Sequence, residues 1–242
     1  MEKISVEKTA SRGIAVAKVL KYLQPDLTAS AGMIADGQAE EEKGKFAAAK
    51  AAVMKELEAL TSKNEIFAAH LEIAGDFALQ DGVEAKISDE HKNVQLALQD
   101  TIEEFAALFE VMDDDYMRER AADVRDIGKR LMAELKGVTL PDLGSIRTET
   151  IVAAKDLYPS DTVQIDPQFV KGILTEEGGV TSHVSILAKS MNIPILVGVS
   201  GILSKLTDGM TVCMDAGKGI IVTDPDDATL AEYQAAREAY EK

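Results

Sequence analysis

Residues 169–199 read FVKGILTEEGGVTSHVSILAKSMNIPILVGV. Two short runs rich in apolar and β-branched residues, Phe169-Val170-Lys171-Gly172-Ile173-Leu174 and Ile195-Leu196-Val197-Gly198-Val199, predict β-strands. Between them Gly178-Gly179 breaks the chain, and Thr181 or Ser182 supplies a helix N-cap. Val184, Leu187, Ala188 and Met191 then share one helical face, which Asn192 and Pro194 terminate. Strand, helix and strand in this order predict an α/β domain. The helix opens on His183, one of three histidines in the chain. The glycine pair permits a sharp turn and close approach by another molecule. Backbone N–H groups at the positive end of a helix suit a phosphate. The expected chemistry is a histidine that carries a phosphoryl group.

Other chemistries fit these residues less well. A nucleotide phosphate loop requires Lys-Ser or Lys-Thr after its glycines, and no lysine follows this pair. The Gly-x-Ser-x-Gly elbow of serine hydrolases is absent. Ser182 and His183 are neighbours on a helix and point apart, so they form no nucleophile–base pair. Three scattered histidines and one cysteine lack ligand spacing, so no metal site is expected. Position alone leaves His183 open to a plainer reading as a polar first-turn residue.

The rest of the chain has two textures. Gly13 to Leu20 reads as a strand. From about Asp36 to Pro141, Ala/Glu/Lys/Leu stretches carry apolar residues at helical spacing. Phe46, Ala49, Val53, Leu57 and Leu60 form one stripe, and Ile66, Phe67, His70, Leu71, Ile73 and Ala74 another. A third comprises Val94, Leu96, Leu98, Ile102, Phe105, Leu108 and Phe109. The last, Tyr116, Val124, Ile127, Leu131 and Leu135, ends at Gly137. Four or so helices of this kind predict a bundle. After Pro141, Thr150 to Ala154 reads as a strand, Met210 to Asp215 and Gly219 to Thr223 as a hairpin, and Ala228 to Lys242 as a polar helix.

Composition narrows the partners. Of a net charge of −16, residues 33–143 supply −12, from 25 acidic and 13 basic side chains. That balance argues against nucleic acid and anionic membranes, and would steer a small basic protein to the helical part. No apolar run approaches the roughly 20 residues of a membrane helix, and the N-terminus lacks the apolar core of a signal peptide. The single cysteine, Cys213, excludes an internal disulfide and suits a reducing cytoplasm.

Gly178-Gly179-Val180-Thr181-Ser182-His183, with Ile186, Ala188 and Ile193-Pro194-Ile195-Leu196-Val197-Gly198, resembles the phosphohistidine signature of phosphoenolpyruvate-utilising enzymes. Enzyme I of the sugar phosphotransferase system, pyruvate phosphate dikinase and phosphoenolpyruvate synthase share it. The run Asp114-Asp115-Tyr116-Met117-Arg118-Glu119-Arg120-Ala121-Ala122-Asp123-Val124-Arg125-Asp126-Ile127-Gly128-Lys129-Arg130-Leu131 resembles a helix of enzyme I alone. Gly13-Ile14-Ala15-Val16-Ala17-Lys18 and Pro159-Ser160-Asp161-Thr162 point the same way. Val180 stands where the signature carries Arg, Tyr158 replaces Thr, and Arg12 replaces a small residue or Pro. Two rivals remain: a dikinase or synthase phosphohistidine domain, against which the Asp114–Leu131 run argues, and a non-enzymatic acidic binding module.

The resemblance implies a swivelling α/β domain, residues 1–30 and 144–226, with an inserted helical subdomain, 31–143, and a linker helix, 227–242. Periodicity alone gives only a bundle beside a sheet. It also implies a phosphotransferase in which His183 takes a phosphoryl group derived from phosphoenolpyruvate and passes it to the phosphocarrier protein HPr. Thr162 would orient the imidazole, with Gly178, Gly179, Thr181 and Ser182 shaping the loop. Lys63, His70, Asp76, Leu79, Arg120 and Arg125 would lie at or near the HPr surface, where Phe77 and Ala78 replace acidic residues. The phosphoenolpyruvate barrel, its Mg²⁺ and the homodimer contacts belong to a carboxy-terminal half. The expectation is therefore an amino-terminal half that is monomeric, needs no cofactor of its own and exchanges phosphate only with HPr.

Overall fold

The computed structural model describes residues 1–180 and 182–240, with the backbone alone at Asp115, Tyr116, Glu119 and His183. The expectation placed on Thr181 lies outside the described residues. The chain divides into two compact units, Met1–Leu23 with Pro141–Lys242, and Gln24–Leu140. Tyr22 Oη lies 2.9 Å from the Pro141 carbonyl oxygen and 2.8 Å from Asp161 Oδ1, so the two segments of the first unit are tied where they meet.

The first unit is a sheet. Its strands are β1 (Glu2–Ser5), β2 (Thr9–Ser11), β3 (Ile14–Tyr22), β4 (Thr150–Ala154), β5 (Val170–Thr175), β6 (Ile195–Leu196), β7 (Thr211–Asp215) and β8 (Ile220–Thr223). Among the described residues they lie in the order β1-β8-β7-β3-β4-β5-β6-β2. β3, β4, β5 and β6 run parallel, while β7, β8, β1 and β2 are antiparallel to their neighbours. Parallel strands are covered on both faces, which is why β4 is buried at every position. Ile151 and Ala153 join Ala15, Leu174, Leu196 and Met214 on one face, closed by Ile202 and Leu206. Val152 and Ala154 join Ile173 and Ile195 on the other, closed by Leu157, Ile165, Val184 and Ala188. Gly172 sits in β5 because the packing there excludes a side chain. A Cβ would stand 2.5 Å from Met214 Sδ and 3.3 Å from both Ala15 Cβ and Ile151 Cγ1.

The second unit is a helical bundle: α1 (Ala39–Leu60), α2 (Ile66–Gly75), α3 (Phe77–Asp89), α4 (Val94–Glu110) and α5 (Asp115–Lys136). The apolar stripes meet at its centre, where Phe46, Leu57, Phe67, Leu79, Ile87, Leu98, Ile127 and Leu131 are almost wholly buried. Each such side chain contributes about 1.5–3 kcal/mol by leaving water. A surface pair such as Lys43–Glu40, 3.2 Å apart, contributes about 0–1 kcal/mol, so the stripes and not the charges hold the bundle. α3 is an additional helix, in a stretch that the stripes read from sequence leave unassigned. Asp76 makes the break from α2: its backbone is extended (φ −60°, ψ 132°) and its side chain accepts the Ala78 N–H at 2.8 Å. α4 packs closely on its neighbours at glycines. A Cβ on Gly128 would stand 2.8 Å from Ile102 Cγ1 and Cγ2, and one on Gly82 2.8 Å from Thr101 Cγ2.

The remaining helices return to the first unit. They are α6 (Pro159–Thr162), α7 (His183–Ser190), α8 (Ile202–Lys205) and α9 (Asp227–Tyr240). α9 rests Leu230 and Tyr233 on Val16, Cys213 and Val222.

Candidate functional site

Because β4, β5 and β6 run parallel, the chain leaves the sheet three times at one edge, through 155–158, 176–182 and 197–201. Open α/β sheets bind ligands at this carboxyl edge. The middle exit carries the glycine pair. Gly178 has φ +90°, a conformation that side-chain-bearing residues avoid, and a Cβ on Gly179 would meet no atom within 4 Å. The loop folds back on itself. Ser182 N–H donates to the Gly179 carbonyl at 3.0 Å, Ser185 Oγ donates to the same oxygen at 2.8 Å, and Ser182 Oγ lies 3.0 Å from Ser185 Oγ.

α7 starts at His183, directly after Ser182 in the N-cap conformation (φ −65°, ψ 157°). The Ser182 hydroxyl makes no cap bond. The first N–H groups of a helix have no partner inside it, so this end offers donors to an incoming anion. Val184 and Ala188 anchor the buried face. Asn192, at φ +56°, and the Ile193 N–H bond to Ala188 O at 2.8 Å end the helix.

Thr162 closes α6, is 1% exposed and donates its hydroxyl to the Pro159 carbonyl at 2.8 Å. With its proton so used, the oxygen is left able only to accept. Asp161 accepts the Tyr158 N–H at 3.0 Å, which holds the turn that carries Thr162.

Asp156, one residue past Lys155 at the β4 exit, escaped the sequence reading. Asp156 is exposed as a residue, yet its Oδ1 turns toward the glycine loop and lies 3.8 Å from where a Gly178 Cβ would be. Desolvation, helped by the charges of Glu177 and Asp161, pushes its pKa up, and the Leu157 N–H bond at 2.8 Å opposes this. Its only signal in sequence is its place after a buried strand.

On the helical unit, α2, α3, α4 and α5 border a groove of about 550 Å³. Ile73, Leu79, Phe105, Leu108, Phe109, Met112, Met117 and Val124 line it, with Glu72, Asp76 and Arg120 among its polar groups. Leu108 is 61% exposed, and Phe77 and Val111 nearby are also exposed. Periodicity had assigned Leu108 to the core stripe. α4 instead runs past the surface that its neighbours cover, and its last turn leaves that side chain uncovered.

The six residues expected at the partner surface separate. Asp76 and Arg120 border the groove, and Lys63 is exposed. Two of the six are buried. Leu79 is 1% exposed and forms the groove's floor, because it is an inward position of α3. His70 is fully buried on the inward face of α2, its Nε2 3.1 Å from Asp123 Oδ1 and its ring edge-on to Phe67. Arg125 is held by Glu103 at 3.0 Å and Glu110 at 2.5 Å, so its charge is already matched on its own surface. Among the described residues no group of three His, Cys, Asp or Glu side chains is placed to hold a metal ion, and no helix is long and apolar enough to cross a membrane.

Comparison with known proteins accounts for both units. The family described as PEP-utilising enzyme, N-terminal, matches residues 8–120, and PEP-utilising enzyme, mobile domain, matches residues 146–219. The phosphoenolpyruvate-protein phosphotransferase of Bacillus subtilis (strain 168) is 40% identical over 240 residues, covering 96% of this chain and 42% of that protein. That of Geobacillus stearothermophilus is 41% identical over 241 residues, covering 96% and 41%. The chain thus spans about two fifths of the length of the curated relatives it matches. The solution structure of an enzyme I protein superposes with a TM-score of 0.86 at 37% identity, covering 99% of this chain and 100% of that one. The N-terminal domain of a nitrogen-type enzyme 1, at 21% identity and a TM-score of 0.57, shares the fold. With a sheet unit that presents a histidine helix, a helical unit between its two segments, and these relatives over nearly its whole length, the chain belongs to the enzyme I family of phosphoenolpyruvate-utilising proteins.

Proposed function

We propose that this chain is the phosphohistidine-bearing part of a phosphoenolpyruvate-protein phosphotransferase, in which His183 exchanges a phosphoryl group with the phosphocarrier HPr. The observation that carries the reading is the left-handed Gly178 turn leading into a helix whose first residue is His183, at the carboxyl edge of the parallel strands. A neutral imidazole is the nucleophile, because only the unprotonated ring nitrogen carries a free lone pair. Thr162, able only to accept, takes the ring N–H and so turns the other nitrogen's lone pair toward phosphorus. In-line phosphoryl transfer demands little covalent work from the protein, so alignment and charge dominate the rate.

HPr docks on the groove of the helical unit, which we assign as the HPr-binding subdomain, with α9 as the linker helix. Apolar floor and polar rim are the composition of a protein-docking surface, and the acidic character of residues 33–143 steers a basic partner. Phosphoenolpyruvate, Mg²⁺ and dimer contacts we assign to the share of the relatives outside the match. The chain by itself is then a cytoplasmic-type phosphate exchanger and a monomer.

The test is purified chain incubated separately with phospho-HPr and with phosphoenolpyruvate plus Mg²⁺, read by intact mass, with light scattering alongside. Phosphate gained from phospho-HPr alone, by a monomer, is the expected result. Equal labelling by phosphoenolpyruvate would move the donor site onto this chain, and no labelling by either would reduce it to a binding module.

A further inference from the structure

We infer that Lys8 is the cation that offsets the charge of the phosphoryl group at the glycine loop, an inference that rests on the phosphohistidine reading above. β2 is antiparallel to β6, with Thr9 opposite Leu196, so β2 begins where β6 ends. Lys8 therefore stands at the same carboxyl edge as the glycine loop, and its carbonyl accepts the Val197 N–H at 3.3 Å. Its side chain follows the slot left by Gly198, which has φ +69°. Lys8 Cδ lies 3.3 Å, and Lys8 Nζ 3.7 Å, from the point where a Gly198 Cβ would stand, and the Gly178 carbonyl oxygen lies 3.8 Å from that same point. The ammonium is thus brought beside the turn that leads to His183.

Charge at this edge makes the position consequential. Asp156, Glu176 and Glu177 all lie on it, and a phosphoryl group adds about −1.5 to −2 more. Lys155 is already matched by Glu177 at 3.2 Å, and Glu176 accepts the Leu203 N–H at 3.0 Å. Lys8 has no carboxylate partner among the described residues, and Val180, exposed in the loop itself, brings no charge. An ammonium on a flexible stem is a suitable point charge for a phosphoryl group that arrives and leaves.

In the transfer, a ring nitrogen of His183 attacks phosphorus. The new P–N bond forms as the donor histidine's P–N bond breaks, and that electron pair returns to the donor imidazole. Lys8 makes and breaks no bond. It offsets the charge on the equatorial oxygens, and once transfer is complete it holds the phosphoryl group in its more ionised form.

The experiment compares wild type, Lys8→Met and Lys8→Arg for initial rate of labelling by phospho-HPr, with circular dichroism to check folding. Phosphorus NMR follows the titration of the phosphohistidine in each. Expected is a roughly five- to twentyfold slower rate for Lys8→Met, largely restored in Lys8→Arg, as for loss of one charge-assisted contact. The phosphoryl titration midpoint should rise in Lys8→Met, a change that a purely structural lysine would not produce. Wild-type rate and midpoint in a labelled, folded Lys8→Met overturn the role of Lys8 while leaving the His183 reading intact. A wild-type chain that takes no phosphate overturns both.

Discussion

Replacing Leu108 by Ala separates docking from folding. Leu108 is 61% exposed at the groove, so trimming it removes little from the bundle's own core. Burying a whole leucine side chain is worth about 1.5–3 kcal/mol, so covering the exposed share under a partner contributes about 1–2 kcal/mol. The Kd for HPr should rise by about 5–30-fold. The thermal midpoint should stay near wild type, because the lost area faces solvent in the free protein. Calorimetric titration with HPr at two salt concentrations gives both quantities needed. The mutation should shift Kd by the same factor at each, while added salt weakens wild type and variant alike through the screened acidic face. An unchanged Kd, with the melting temperature several degrees lower, would mean that Leu108 serves the bundle and that the groove is not the docking surface.

Three further outcomes are expected. Gly128→Val forces a side chain to within 2.8 Å of Ile102 and should destabilise the helical unit by about 1–3 kcal/mol in urea unfolding, whereas tolerance would show that α4 and α5 are not so closely apposed. Asp76→Ala deletes the α3 cap and should cost about 0.5–2 kcal/mol by the same measurement, with no loss if the Ala78 N–H finds another acceptor. Asp156 has a raised pKa, so the folded chain holds that proton more tightly than the unfolded chain, and its contribution to stability grows as pH falls from the folded value toward the ordinary carboxylate range. Asp156→Asn, which keeps an acceptor for Leu157 N–H, should therefore gain melting temperature over wild type near neutral pH and lose that advantage in acid; a gain confined to acid would reverse the sign.

Where local chemistry decides a structure, these residues disclose it. The glycine pair, Ser182, Asn192 and Pro194 punctuate residues 169–199 strongly enough to locate α7 from sequence, and helical spacing reports the stripes of α1, α4 and α5. The edge strands are different. Glu2–Ser5 and Thr9–Ser11 are short and mostly polar, and they become strands only by pairing with β8 and β6, more than 180 residues away. Lys8 inherits its place from that pairing, so nothing near it in sequence points to Gly178. α3 carries a stripe of its own, Leu79, Val83 and Ile87, set off from α2 by the capping Asp76. The groove was hidden for another reason: Phe105, Leu108 and Phe109 repeat like core residues, and periodicity does not distinguish a face covered by the chain itself from one awaiting a partner. His70 shows the converse, a histidine among apolar neighbours that is held inside by Asp123.

The most direct measurement is the location of the phosphate. The chain is labelled by phospho-HPr, digested at alkaline pH to preserve acid-labile phosphohistidine, and its peptides are sequenced by mass spectrometry. The predicted result is phosphate on His183 alone, with labelling abolished in a folded His183→Ala. Phosphate on His70 or His91, or undiminished labelling of that variant, would contradict it.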